Sequence, residues 1–232
     1  MVDPIEIVSQ AMREDTQKIN VVSHNVANVN STGFKAQLAS FPAERPLSET
    51  GTVAGAERRQ SFNFSDGHLI KTGRNLDLAV TGNGFLALDD AQGKKQFTRN
   101  GSLAIDHEGY LVSAATGARI VGERGTLFIG DENVEIRRDG TFMRGQQSLG
   151  KLSLYQPLGE VTSVGQGIYQ AQEYRQVEDG FSVIQGSLET SNVDIAAEML
   201  QLMTTQKHFG LVQRYFVAYD EQLKNGISQI GK

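Results

Sequence analysis

Apolar residues return at alternating intervals of three and four along the first stretch of this chain, and at intervals of seven along its last. Ile5, Val8, Met12, Ile19, Val22, Val26 and Val29 mark the first seam, with Asp15 in one slot. Ile195, Leu202, Phe209, Phe216, Leu223 and Ile230 mark the second, with Met199 and Ile227 at companion positions. Such spacing draws one apolar stripe along a helix and calls for another helix to cover it. The seams predict helices over Pro4–Asn30 and Asn192–Ile230, paired as a coiled coil. Pro4 suits a first helical turn, where its missing N–H costs nothing, and Asp3 before it can cap. Ser191 or Asn192 is the expected cap of the second helix.

The companion seam of the second helix also carries Gln206, Gln213 and Asp220. Polar residues there can fix register at some cost in stability. A small rotation would bury Met203, Val212 and Tyr219 instead, because 3.6 residues per turn drifts against a strict heptad. The sequence leaves both arrangements open.

Between the helices the period changes. Short apolar runs such as Leu76–Val80 and Gly84–Leu88 alternate with Asp66-Gly67, Asn83-Gly84, Asn100-Gly101, Glu108-Gly109 and Asp139-Gly140. These dipeptides favour hairpin turns, and the alternation in Lys151–Tyr155 predicts a half-buried strand. The expected fold is α+β: paired terminal helices around a central all-β domain, an antiparallel sandwich or irregular barrel. The expected division is a helical domain from 1–35 and 188–232, an extended linker over 36–61 that carries Pro42 and Pro46, and a β-rich domain over 62–187.

At about 1.5 Å per residue the two helices would span roughly 40 and 60 Å, against about 30 Å for a small β domain. Their seams are therefore expected to pack on each other and on other chains. A lone seam with polar gaps should be marginal, because ordering costs about 1–2 kcal/mol per residue.

A net charge of -5 supplies no phosphate attraction for nucleic acid, and the Arg137-Arg138 pair reads as a solvated strand end. With no cysteine there is no disulfide and no thiolate metal site. No apolar run reaches the length of a membrane span. Met1–Thr16 carries acids and lacks the apolar core of a cleavable signal peptide. His24, His68, His107 and His208 fall into no metal-ligand spacing, and no cofactor is expected. Gly82-Asn83-Gly84-Phe85 lacks the lysine and helix of a phosphate loop and reads as a hairpin turn. The acidic pairs Asp89-Asp90, Asp131-Glu132 and Glu178-Asp179 read as solvated turns, although a wall-cutting hydrolase would need two such carboxylates in one cleft. The chain is expected not to be an enzyme.

One stretch is less generic: His24-Asn25-Val26-Ala27-Asn28-Val29-Asn30-Ser31-Thr32-Gly33-Phe34-Lys35. Gly33 can end a helix in a left-handed conformation, with Phe34 folding back onto the seam. The amides of Asn25, Asn28 and Asn30 invite hydrogen bonds to neighbouring backbone. Asn25, Ala27, Asn28, Thr32, Gly33, Phe34 and Lys35 resemble the NxANxxTxGFK signature of the flagellar axial family, the rod, hook and hook-associated proteins. Leu76–Phe85 resembles that family's LDxAxxGxGFF element, with Leu86 where a second aromatic is common. Phe97–Leu103 with Gly109–Val112 resembles its TRxGxFxxDxxGxLV hairpin, and Gly186–Asp194 its GxLExSNVD entry to the last helix. The short middle region, the short linker after Lys35 and the closing stretch Met203–Tyr219, with Phe209 and Arg214, fit best the F-type proximal rod branch, with the distal rod the nearest competitor.

The resemblance implies a structural subunit of the proximal rod that polymerises with copies of itself and with other rod proteins. It implies passage through the flagellar export apparatus without a cleaved signal, and a place in the basal-body rod within the periplasm. Paired helices are expected to line a tube, with the β domain as its outer wall. The expected assembly contacts are Ile5, Val8, Met12, Ile19, Val22, Asn25, Val26, Asn28, Thr32, Gly33 and Phe34 at one end. At the other they are Ile195, Met199, Leu202, Phe209, Phe216, Leu223 and Ile230.

Overall fold

A computed structural model describes residues 4–39, 60–89 and 94–230. Most of the expected 36–61 linker, Asp3 and Asp90 lie outside these residues. Two helices bracket a set of short antiparallel strands: α1 (Pro4–Ala27) and α2 (Ile195–Ile230). The chain gathers into two compact units, one holding α1 and α2, the other holding the described residues between Asn28 and Val193.

α1 stops three residues before the expected Asn30, in a turn where Ser31 N–H donates to the Asn28 carbonyl at 3.1 Å. Gly33 does take a left-handed φ of 67°, but well past the helix end. The cap of α2 also differs from expectation. Asp194 Oδ1 accepts the N–H groups of Ala196 and Ala197 at 3.0 and 3.3 Å. Ser191 and Asn192 are engaged elsewhere: Ser191 Oγ accepts from Val193 N–H, and Asn192 Oδ1 accepts from Ala36 N–H at 2.7 Å.

In the β-rich unit, the hairpin of Leu154–Gly165 and Ile168–Val177 lies at the centre of the topology. Its second strand pairs with Lys95–Thr98, which pairs with Phe85–Asp89. Phe85–Asp89 then returns to the hairpin through Leu86–Leu154 and Phe85–Tyr155. The four strands thus close on themselves at one end of the hairpin. Arg119–Gly122 joins further along Phe85–Asp89, followed by Leu111–Ser113 and Leu103–Ile105. Leu78–Gly82 pairs with Phe181–Gln185, and Leu69–Lys71 with Ser187–Glu189.

Phe85–Asp89 is buried on both faces because its neighbours alternate between two cores. Phe85 and Ala87 join an aromatic cluster with Phe62, Phe97, Tyr155 and Tyr169. Leu86 and Leu88 join an aliphatic cluster with Leu78, Leu103, Ile120 and Leu154. The apolar run Gly84–Leu88 is the imprint of that double burial.

Glu108-Gly109 and Asp139-Gly140 turn hairpins, with φ of 90° and 81° at their glycines. Asn83-Gly84 and Asn100-Gly101 do not, because the strands they join pair with other partners. There the glycines permit close passage. A Cβ on Gly101 would overlap the Leu78 carbonyl oxygen, and one on Gly84 would press on the Leu154 side chain. Asp66-Gly67 is likewise no hairpin: Gly67 N–H donates to Glu189. The expected Lys151–Tyr155 strand is a joint between two strands, and its Ser153 is buried.

Candidate functional site

The helical unit carries the first candidate surface. Asn25 Nδ2 donates to Glu198 Oε1 at 2.8 Å, and Asp15 Oδ2 lies 2.6 Å from His208 Nδ1. Ten residues back along α1 is thus ten residues forward along α2, so the helices run antiparallel. Val8, Val22 and Asn25 are buried in this unit, and Met12, Ile19 and Val26 half-buried, while Ile5 is exposed. On α2 the covered face is Glu198, Leu202, Thr205, Phe209, Val212 and Tyr219. Gln206, Gln213 and Asp220 are exposed. The rotated arrangement therefore holds for Val212 and Tyr219, but not for Met203, which is exposed.

Ile195, Met199 and Phe216 are exposed, as are Leu200, Leu211 and Val217. The side chains of Leu223 and Ile230 lie outside the described residues. α2 is therefore apolar on the face toward α1 and again on the face away from it. A shallow groove of about 560 Å³ lies beside Met12, Phe216 and Val217.

Asn28, Thr32, Gly33 and Phe34 fall in the β-rich unit, where Gly33 and Phe34 are buried. Beside them sits a group that periodicity does not reveal. Lys35, Arg99 and Glu189 are all within 1% of complete burial. Lys35 Nζ lies 2.6 Å from Glu189 Oε1 and 2.6 Å from the Ser65 carbonyl. Arg99 Nη1 meets Glu189 Oε2 at 3.3 Å, the Val80 carbonyl at 2.7 Å and Asp66 Oδ1 at 3.4 Å. Its Nη2 donates to the Gly82 carbonyl, and its guanidinium lies 4.7 Å from the centre of the Phe85 ring. Two buried cations thus share one buried carboxylate, with backbone carbonyls and Asp66 taking further donors, while the buried Arg99 Nε is left without a hydrogen-bond partner among the described residues.

Tyr169 and Asn192 complete this cluster. The Tyr169 hydroxyl accepts Lys35 N–H at 2.9 Å. Asn192 Nδ2 donates to the Asn63 and Ser65 carbonyls at 2.8 and 3.0 Å. Each of three motif segments contributes one charge: Gly33-Phe34-Lys35, Thr98-Arg99-Asn100 and Leu188-Glu189. A lone charge of defined sign inside an otherwise apolar or turn-like motif was the only available signal.

Burial holds the Lys35 ammonium below its usual pKa, against the pull of Glu189. Burial likewise pushes the Tyr169 hydroxyl up to about 12 from 10.0. An acid whose folded pKa is raised contributes stability that is full below the unfolded value and lost as pH climbs through the folded one. Tyr169 should therefore cost about 2 kcal/mol of stability between roughly pH 10 and pH 12. Lys35 acts in the opposite sense, and its effect is complete once the pH passes the ordinary lysine value of 10.5. Urea unfolding above that pH should show a falling stability whose slope is flattened in Tyr169→Phe.

Among the described residues no group of three or more histidines and acids could hold a metal, and no helix is long and apolar enough to cross a membrane. Three family descriptions match the chain in order. Residues 5–35 match the flagella basal body rod protein family. Residues 79–144 match the flagellar hook protein FlgE/F/G D1 domain, and 184–230 the flagellar basal body rod FlgEFG protein C-terminal region. The chain is similar to the flagellar basal-body rod protein FlgF of Caulobacter vibrioides, at 27% identity over 93% of each. It is similar to FlgF of Escherichia coli K12 at 28%, over 91% of this chain and 92% of the relative. A rod protein FlgG of Buchnera aphidicola from Acyrthosiphon pisum is 29% identical over 93% of this chain and 95% of the relative.

Proposed function

This chain belongs to the flagellar basal-body rod protein family, and from that premise we propose that it is the subunit of the proximal rod. It is a structural subunit of the flagellar rod. The observation that carries the assembly reading is the two-sided apolar character of α2. An apolar helix face is ordinarily packed against another element, yet Leu200, Met203, Leu211 and Val217 stand 57–64% exposed. Opposite α1 the antiparallel alignment ends near Tyr219, so residues 220–230 of α2 extend past the start of α1.

In this reading α1 and α2 form a coiled coil, and the outer face of α2 meets neighbouring subunits. Ile195, Met199 and Phe216 belong to those contacts, as do Leu223 and Ile230. Repeated heterologous contacts of this kind do not close and so build a filament. The subunit transmits torque and does no chemistry. Its partners are copies of itself, neighbouring proximal and distal rod subunits and the export apparatus. It works in the periplasmic rod.

The similarity to FlgG relatives extends along as much of the chain as that to FlgF relatives, which supports the distal position as the second reading. Replacing Leu202 or Phe209 by aspartate puts a charge into the helix contact. Cells carrying either variant as the only copy should be immotile, with the purified β-rich unit still folded by tyrosine near-UV dichroism. Normal motility with either would overturn the assembly reading. The point at which the truncated rod ends, before or after the proximal segment, separates the two positions.

A further inference from the structure

Among the described residues of the seam between α1 and α2, the buried polar residues are Asp15, Asn25 and Thr205, and the first two are paired across it. Asp15 is 2% exposed, and Asn25 is 1% exposed. Each has a partner across the seam, His208 and Glu198, and both pairings occur at the same antiparallel alignment. An apolar heptad alone does not choose an alignment, since sliding by seven residues restores the same stripe. The polar pairs do choose. A slip of one heptad sets Asp15 opposite Gln201 or Tyr215, and Asn25 opposite Ser191 or Thr205. The buried carboxylate would then lose the imidazole 2.6 Å from it, and Asn25 the carboxylate to which it donates at 2.8 Å.

We propose that Asp15–His208, with Asn25–Glu198, is a register lock for the helix pair. The inference needs only the two helices and does not rest on where the subunit sits in a flagellum.

The chain has no cysteine, so spin labels can be placed on two introduced ones. Gln10→Cys and Arg214→Cys sit opposite each other in the antiparallel alignment, and both positions are exposed. Pulsed electron–electron distance measurements on the full chain should give one distance. Asp15→Leu with His208→Leu should keep its far-UV helicity, since apolar replacements suit the seam. Its labels should show an added population displaced along the axis by about 10 Å, one heptad.

A single unchanged distance in the double leucine variant overturns the lock. Loss of helicity in that variant does so too, because the pair would then supply association rather than alignment.

Discussion

Glu189→Ala should lower the unfolding free energy of the β-rich unit by about 3–5 kcal/mol, the cost of removing one partner from a buried ion pair. The carboxylate is shared by Lys35 and Arg99, and it also accepts Gly67 N–H at 2.7 Å. Its loss strands two buried cations at once. Lys35→Met should cost less, because Glu189 keeps Arg99 as a partner. Urea unfolding followed by tyrosine near-UV dichroism reads both, since the chain has 6 tyrosines and no tryptophan and Tyr169 touches the cluster. Equal losses from the two substitutions would mean that the ions are held independently by the backbone carbonyls.

The second large effect is expected at Gly33. A left-handed φ costs an L-residue roughly 1–2 kcal/mol, and here the backbone also leaves no room. A Cβ on Gly33 would overlap the carbonyl carbon of Arg99 and the amide of Asn100. Gly33 N–H also donates to the Glu189 carbonyl at 2.8 Å. Gly33→Ala therefore has to push the segment before Lys35 away from the arginine that Glu189 holds, and should cost about 3 kcal/mol or more. Gly117→Ala is the control: it has a similar φ of 71° but nothing within 4 Å of an added Cβ. It should lose only the conformational part. The same loss at both positions would contradict the close-packing account of the motif.

The helices and their facing seam were legible because burial of one stripe leaves a period that survives in the residue types. Val8, Met12, Ile19 and Val22 were readable for that reason, and so was the all-β middle from its glycine turns. The rotation of α2 was not, because its apolar residues occupy two faces and the sequence cannot say which one α1 takes. Strand pairing was not either. Asn83-Gly84 looks like a hairpin by composition, but its glycine answers to a distant side chain, Leu154. The ionic cluster needs Lys35, Arg99 and Glu189 brought together from 154 residues apart at its extremes. Asp15 read as a gap in a seam until His208 stood across from it.

The central claim is that this chain is a structural subunit of the rod. Electron microscopy of basal bodies from a strain lacking its gene tests that most directly. The account predicts immotile cells whose basal bodies keep their rings but lack a complete rod, restored by the intact gene. Intact, rotating flagella in that strain would contradict it.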